Sequence, residues 1–113
     1  MESKVIMPIA DYAFEGPFRS VEKIEDSPGV FLVMCELAGK YYLLDVDHSD
    51  EMRKAIQNHE RRSCWEKHRR GPIKYAVHYT GDMSPEEREK IEKKIRREYR
   101  KTPCRPHSRE AFG

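Results

Sequence analysis

This chain is short of several things, and each shortage excludes something. Its 113 residues contain no long apolar run, and only 37% are hydrophobic. No segment approaches the roughly 18 consecutive apolar residues of a membrane-spanning helix, so no membrane association is expected. The opening Met1-Glu2-Ser3-Lys4 lacks the basic start and apolar stretch of a secretory leader. Three cysteines, Cys35, Cys64 and Cys104, are too few and too scattered for a disulfide framework. They read as reduced thiols in a cytoplasmic protein. No internal repeat is visible. What the chain does have is charge, 37% of its residues, with enough aromatic side chains (10%) to argue against disorder. The length suits one domain with a modest core.

The net charge of +2 conceals a division along the chain. Residues 1–52 hold eleven Asp/Glu against four Lys/Arg, a net −7. Residues 53–74 hold eight Lys/Arg against two Glu, a net +6, and residues 75–113 add +3. The basic block is able to attract phosphate, although a pI near 8.4 falls short of a dedicated nucleic-acid binder. Within it, Arg61, Arg62, Lys67, Arg69 and Arg70 are interleaved with Trp65 and followed by Tyr75. Phosphate contact beside base stacking uses this composition. A solvated surface with Trp65 in the core is the simpler reading.

Residues 1–26 read as an arm, broken by Pro8, Gly16 and Pro17, ending in a short helix capped by Ser20. After the turn Asp26-Ser27-Pro28-Gly29, two segments rich in Val, Leu, Phe and Tyr flank Leu37-Ala38-Gly39-Lys40 and predict a hairpin. Their near-continuous apolar character implies covered faces and flanking helices. Strict alternation places Tyr41, Leu43, Asp45 and Asp47 on one face. A helix capped by Ser49 or Asp50 follows, with Met52, Ala55, Ile56 and His59 as its buried stripe. A short helix around Ser63–Arg69, a strand over residues 73–79 and a long helix from Ser84-Pro85-Glu86-Glu87 complete the order. That start has Ser at N-cap, Pro at N1 and Glu at N3. Residues 105–113 read as a flexible tail. The expected architecture is α/β in the α+β sense, a small three-stranded antiparallel sheet flanked by helices.

Gly29-Val30-Phe31 on the first hairpin strand, Asp45-Val46-Asp47 on the second, Arg53 on the next helix and Glu92-Lys93-Lys94-Ile95 late in the chain together resemble a GIY-YIG endonuclease domain over residues 27–104. The resemblance implies that family's chemistry. A tyrosine helps to deprotonate water, an arginine stabilises the phosphate charge, and a glutamate holds Mg²⁺ or Mn²⁺. Carried over, Arg53, Glu92 and His59 become the catalytic candidates. Gly29, Phe31, Asp45 and Asp47 occupy the motif positions, where Phe31 and Asp45 replace tyrosines and Asp47 a glycine. Glu92 with Asp45 and Asp47 forms a candidate metal set of hard oxygen ligands.

Each residue also has a plainer role: Phe31 as core, Asp45 and Asp47 as ion-pair or capping groups, and Arg53 as a partner of Asp47 or Asp50. Glu92 would then be an exposed partner of Arg88 or Arg96. Zinc held by Cys64, His68, Cys104 and His107 would need unfamiliar spacings. Three readings follow: an impaired GIY-YIG-like domain binding DNA or RNA, an active metal-dependent endonuclease, and a protein-interaction or homodimer module that keeps only the fold.

Overall fold

In a computed structural model, residues 6–106 are described. The three strands and three helices expected after residue 28 are present, but the sheet is larger than expected. It has five antiparallel strands, β1 (Ile6–Ile9), β2 (Tyr12–Phe18), β3 (Gly29–Leu37), β4 (Lys40–Ser49) and β5 (Ile73–Tyr79), in the order β1-β2-β5-β3-β4. The expected α/β class with a three-stranded sheet is therefore corrected to an α+β fold built on a five-stranded antiparallel sheet. The segment read as an arm is a hairpin whose second strand pairs with the outer side of β5.

The breakers misled for physical reasons. Pro8 lies in the edge strand β1, where a missing N–H is tolerated. Gly16 and Pro17 fall in a register break of β2, between the Glu15–Val77 and Phe18–Tyr75 pairs. The loop is Ala10-Asp11, both at positive φ (51° and 73°), the geometry of a two-residue hairpin turn without its usual Asn-Gly.

Between the sheet strands run a single 3₁₀ turn, Val21–Lys23, capped by Ser20, and the helices α1 (Met52–Gln57) and α2 (Arg62–His68), and α3 (Pro85–Glu98) follows β5. α3 begins with the capping box expected at Ser84 and Glu87. Neither Ser49 nor Asp50 caps α1: Ser49 accepts from the Glu51 N–H just before it, and Asp26 accepts from the Lys54 N–H of the first turn at 3.1 Å.

Central strand β3 is covered on both faces. Phe31, Val33 and Cys35 join Met52, Ile56 and Trp65 of α1 and α2, whereas Val30, Leu32 and Met34 join Phe14 of β2 and Ile91 and Ile95 of α3. This explains its unbroken apolar run. Gly29 opens β3 because a Cβ there would meet the His78 carbonyl oxygen at 2.5 Å.

Two further corrections matter for the site. First, β4 carries a bulge. Val33 pairs with Asp45 and Met34 with Leu43, so Leu44 is the extra residue. Leu43 therefore packs with the α3 side, and the single face predicted for Tyr41, Leu43, Asp45 and Asp47 is broken. Second, Cys64 and Cys104 form a disulfide, and only Cys35 is a free, buried thiol. Reduced cysteines were expected because the pairing joins positions 40 residues apart with no spacing signature. The bond also removes both thiols from the zinc set, and His107 lies outside the described residues. Of the residues read as a tail, Arg105 reaches back to the Thr102 carbonyl. Residues 107–113 lie outside the described range. Among the described residues no helix is long and apolar enough to cross a membrane.

Candidate functional site

The bulge in β4 turns Asp45 inward to complete burial. An unpaired carboxylate there would be untenable, and the chain surrounds it with donors. Its Oδ2 accepts from Arg61 Nε at 2.8 Å and Trp65 Nε1 at 2.7 Å. Its Oδ1 accepts from Arg96 Nη2 at 2.8 Å, Arg61 Nη2 at 3.2 Å and the Val46 N–H at 2.8 Å. α2 thus supplies Trp65, the residue preceding α2 supplies Arg61, and α3 supplies Arg96. Arg96 does more: it donates to the carbonyls of Val46 (2.6 Å) and Cys104 (3.0 Å) and to Glu92 Oε2 (3.2 Å).

Two residues on, Asp47 faces Phe31 across the hairpin. Its Oδ2 lies 2.8 Å from His59 Nε2 and accepts from Arg61 Nη2 at 3.3 Å. The Arg61 N–H donates to His59 Nδ1 at 3.0 Å, so the neutral ring carries its hydrogen on Nε2 and donates to Asp47. His59 follows α1, wedged between Phe31 and Trp65 (centroids 5.9 and 4.8 Å).

Glu92 arrives from α3. Burial first, and the negative charge of Asp47 second, push its carboxyl up to about 7, against the pull of the Arg96 guanidinium. Charge matching explains why. Arg61 and Arg96 are matched by Asp45 and Asp47, and Arg88 by Asp50 at 2.8 Å, so Glu92 is the surplus anion and retains its proton most readily.

Of the sequence candidates, Asp45, Asp47, His59 and Glu92 are therefore assembled around the outer edge of β4. Arg53 is not part of the network. Its Nε donates to the Ile24 carbonyl at 2.8 Å, where α1 meets the 3₁₀ turn. Phe31 is fully buried core, and Gly29 is structural. Glu92, read as an exposed pair, does bond Arg96 but is only 8% exposed. Arg61, read as a phosphate contact, is itself 8% exposed and internal. Arg62 is held by the Ile56 carbonyl (2.7 Å) and lies over the Trp65 ring. Lys67, Arg69 and Arg70 are exposed as expected, with Arg69 paired to Glu66 at 3.3 Å. Sequence reasoning missed Arg61 and Arg96 as partners of Asp45. The available signal was Asp45 itself, a carboxylate in an otherwise apolar strand.

One donor set has metal-like proximity: ligand atoms of Asp47, His48 and Glu92 all lie within 4.8 Å of one another. It does not fit a hard cation as it stands. Arg88 Nε lies 3.4 Å from His48 Nδ1, and a guanidinium only donates, so the imidazole hydrogen sits on Nε2, the nitrogen that faces Glu92 at 3.8 Å. Asp47 is already engaged by His59 and Arg61, and Glu92 by Arg96. Asp45, the third member of the sequence-derived metal set, is saturated by five donors.

Comparison with family models, curated proteins and solved structures finds no match to this chain.

Proposed function

We propose that this chain binds nucleic acid through the surface around Lys67, Arg69 and Arg70, and does not cut it. The resemblance to GIY-YIG nucleases supplies the reason to look for a nucleic acid. The observation that carries the second half is the neutralised carboxylate cluster. Asp45, Asp47 and Glu92 spend their acceptor capacity on this chain's own guanidinium and imidazole donors, and Phe31 offers no hydroxyl to a water. A phosphate approaching this edge would find Arg61 already committed to Asp45 and Asp47, and Arg53, the expected clamp, turned to the Ile24 carbonyl. The first half rests on charge: Lys67 and Arg70 have no carboxylate partner among the described residues. The Cys64–Cys104 disulfide, a bond that persists in oxidising compartments, argues against the cytoplasm expected from the sequence.

The active-endonuclease reading retains one favourable observation, the closeness of Asp47, His48 and Glu92. A homodimer or interaction module is the reading that takes over if nucleic acid is not bound. The test is anisotropy of a labelled oligonucleotide at low ionic strength. Unmodified protein should bind, and the triple change Lys67→Glu, Arg69→Glu, Arg70→Glu should abolish binding. Absence of binding in the unmodified protein, or its survival in the triple variant, overturns the proposal.

A further inference from the structure

A cleft of about 420 Å³ opens beside the first half of β4, at Tyr42, Leu43 and Leu44. Tyr42 of β4 and Tyr99, just beyond α3, line it with two large rings, 42% and 39% exposed. His68 and Arg70 contribute from the end of α2, and Lys101 from the C-terminal segment. Its floor is buried Leu44. Among the described residues no carboxylate lines it. Three nitrogen bases around two exposed aromatic rings describe an unusual demand: a ligand with a flat apolar face and a negative charge.

The frame of this cleft is held firmly. The Cys104 N–H donates to the Leu44 carbonyl at 3.0 Å, Arg96 holds the Cys104 carbonyl, and the disulfide ties Cys104 to α2. Thr102 is pinned through its hydroxyl to the Tyr99 carbonyl at 2.6 Å. The walls are therefore set before any ligand arrives, which lowers the ordering cost of binding. The volume lies in the range of small-ligand sites and would take one nucleobase with its sugar, not a stacked duplex.

We propose that the cleft seats one unpaired base of a single-stranded nucleic acid. The base stacks on Tyr42 or Tyr99, and the adjoining phosphates face Arg70 and Lys101. Every base has a π-face, so the seat is tolerant of sequence. This inference rests on the nucleic-acid reading above and sharpens it to single strands.

A short oligonucleotide carrying one fluorescent adenine analogue, the same strand in a duplex, and a free mononucleotide are the three probes. The single strand should bind about tenfold or more tightly than the duplex, with quenching of the analogue as it stacks. Tyr42→Ala and Tyr99→Ala, both at exposed positions, should weaken single-strand binding roughly 5- to 100-fold and leave duplex binding unchanged. Tyr42→Phe and Tyr99→Phe keep the ring and should keep the affinity. Equal affinity for strand and duplex, or no loss in either alanine variant, overturns the base seat while leaving the nucleic-acid reading intact. A mononucleotide that binds as tightly as the strand also overturns it, in favour of a free-nucleotide pocket. If no probe binds at low salt, both readings fall together.

Discussion

Asp45 is the residue on which the edge of the sheet depends. Removing a fully buried carboxylate leaves two guanidiniums and an indole N–H without their shared acceptor. Breaking one side of a buried ion pair typically costs about 3–5 kcal/mol. Asp45→Ala should therefore lower stability by that order in urea unfolding, whereas Glu89→Ala, at a solvated pair with Lys93, should sit close to the unmodified protein. Comparable losses in the two would contradict the network. Glu92 makes a prediction of opposite character. Its carboxyl is raised from 4.5 to about 7, so the unfolded chain releases this proton first as pH rises. Its favourable contribution is complete below about pH 4.5 and is lost between there and 7. Glu92→Gln should match the unmodified protein near pH 4.5 and exceed it above pH 7, by roughly 3 kcal/mol. Asp47, lowered despite its burial by its bonds to His59 and the His48 N–H, acts the other way; its contribution is lost as pH falls below the ordinary Asp range. Stability of Glu92→Gln that tracks the unmodified protein at every pH would refute the assignment.

At the scale of elements, the legible parts were those with strong local chemistry. The capping box at Ser84, the Ala38-Gly39 turn and the apolar run of β3 each announced themselves. The illegible parts were decided by partners distant in the chain. β1 and β2 look broken until β5 offers a free side and Ala10-Asp11 turns with positive φ. The bulge at Leu44 has no sequence marker, yet it decides that Asp45 is buried and that Leu43 faces the other layer. Asp45, Asp47, His59 and Glu92, singled out from separate parts of the sequence, lie around one edge of the sheet. Arg53 does not, because six-residue α1 turns it toward Ile24. The disulfide was equally hidden, and its effect is measurable. A bridge spanning 40 residues removes chain entropy from the unfolded state worth about 4 kcal/mol. Reduction by a dithiol, or the double change Cys64→Ser, Cys104→Ser, should lower the melting temperature and speed hydrogen exchange first at Leu44, Val46 and Cys104. Unchanged exchange there would show that the bonds from Arg96 and Cys104 hold the segment without the bridge.

For the whole molecule, the charge division along the chain becomes a pattern of internal pairing. Acidic groups of the first half are matched by later cations: Asp45 and Asp47 by Arg61, Glu36 by Lys74 at 2.6 Å, and Asp11 by Lys94 at 3.0 Å. Lys67, Arg70 and Lys101 are among the cations with no carboxylate partner among the described residues, and Arg70 and Lys101 line the same cleft. Three to five phosphate contacts on such a surface give a slope of roughly −2 to −4.5 in log K against log salt. A slope near zero would mean that the interaction is not with the phosphate backbone.

Binding without cutting is best tested in one tube. Labelled single strand is mixed with the protein at low salt with Mn²⁺, anisotropy is read, and the same sample is run on a denaturing gel. The account predicts raised anisotropy and an intact strand after long incubation. A free strand, or cleavage that depends on the metal and disappears in Glu92→Ala, would contradict it.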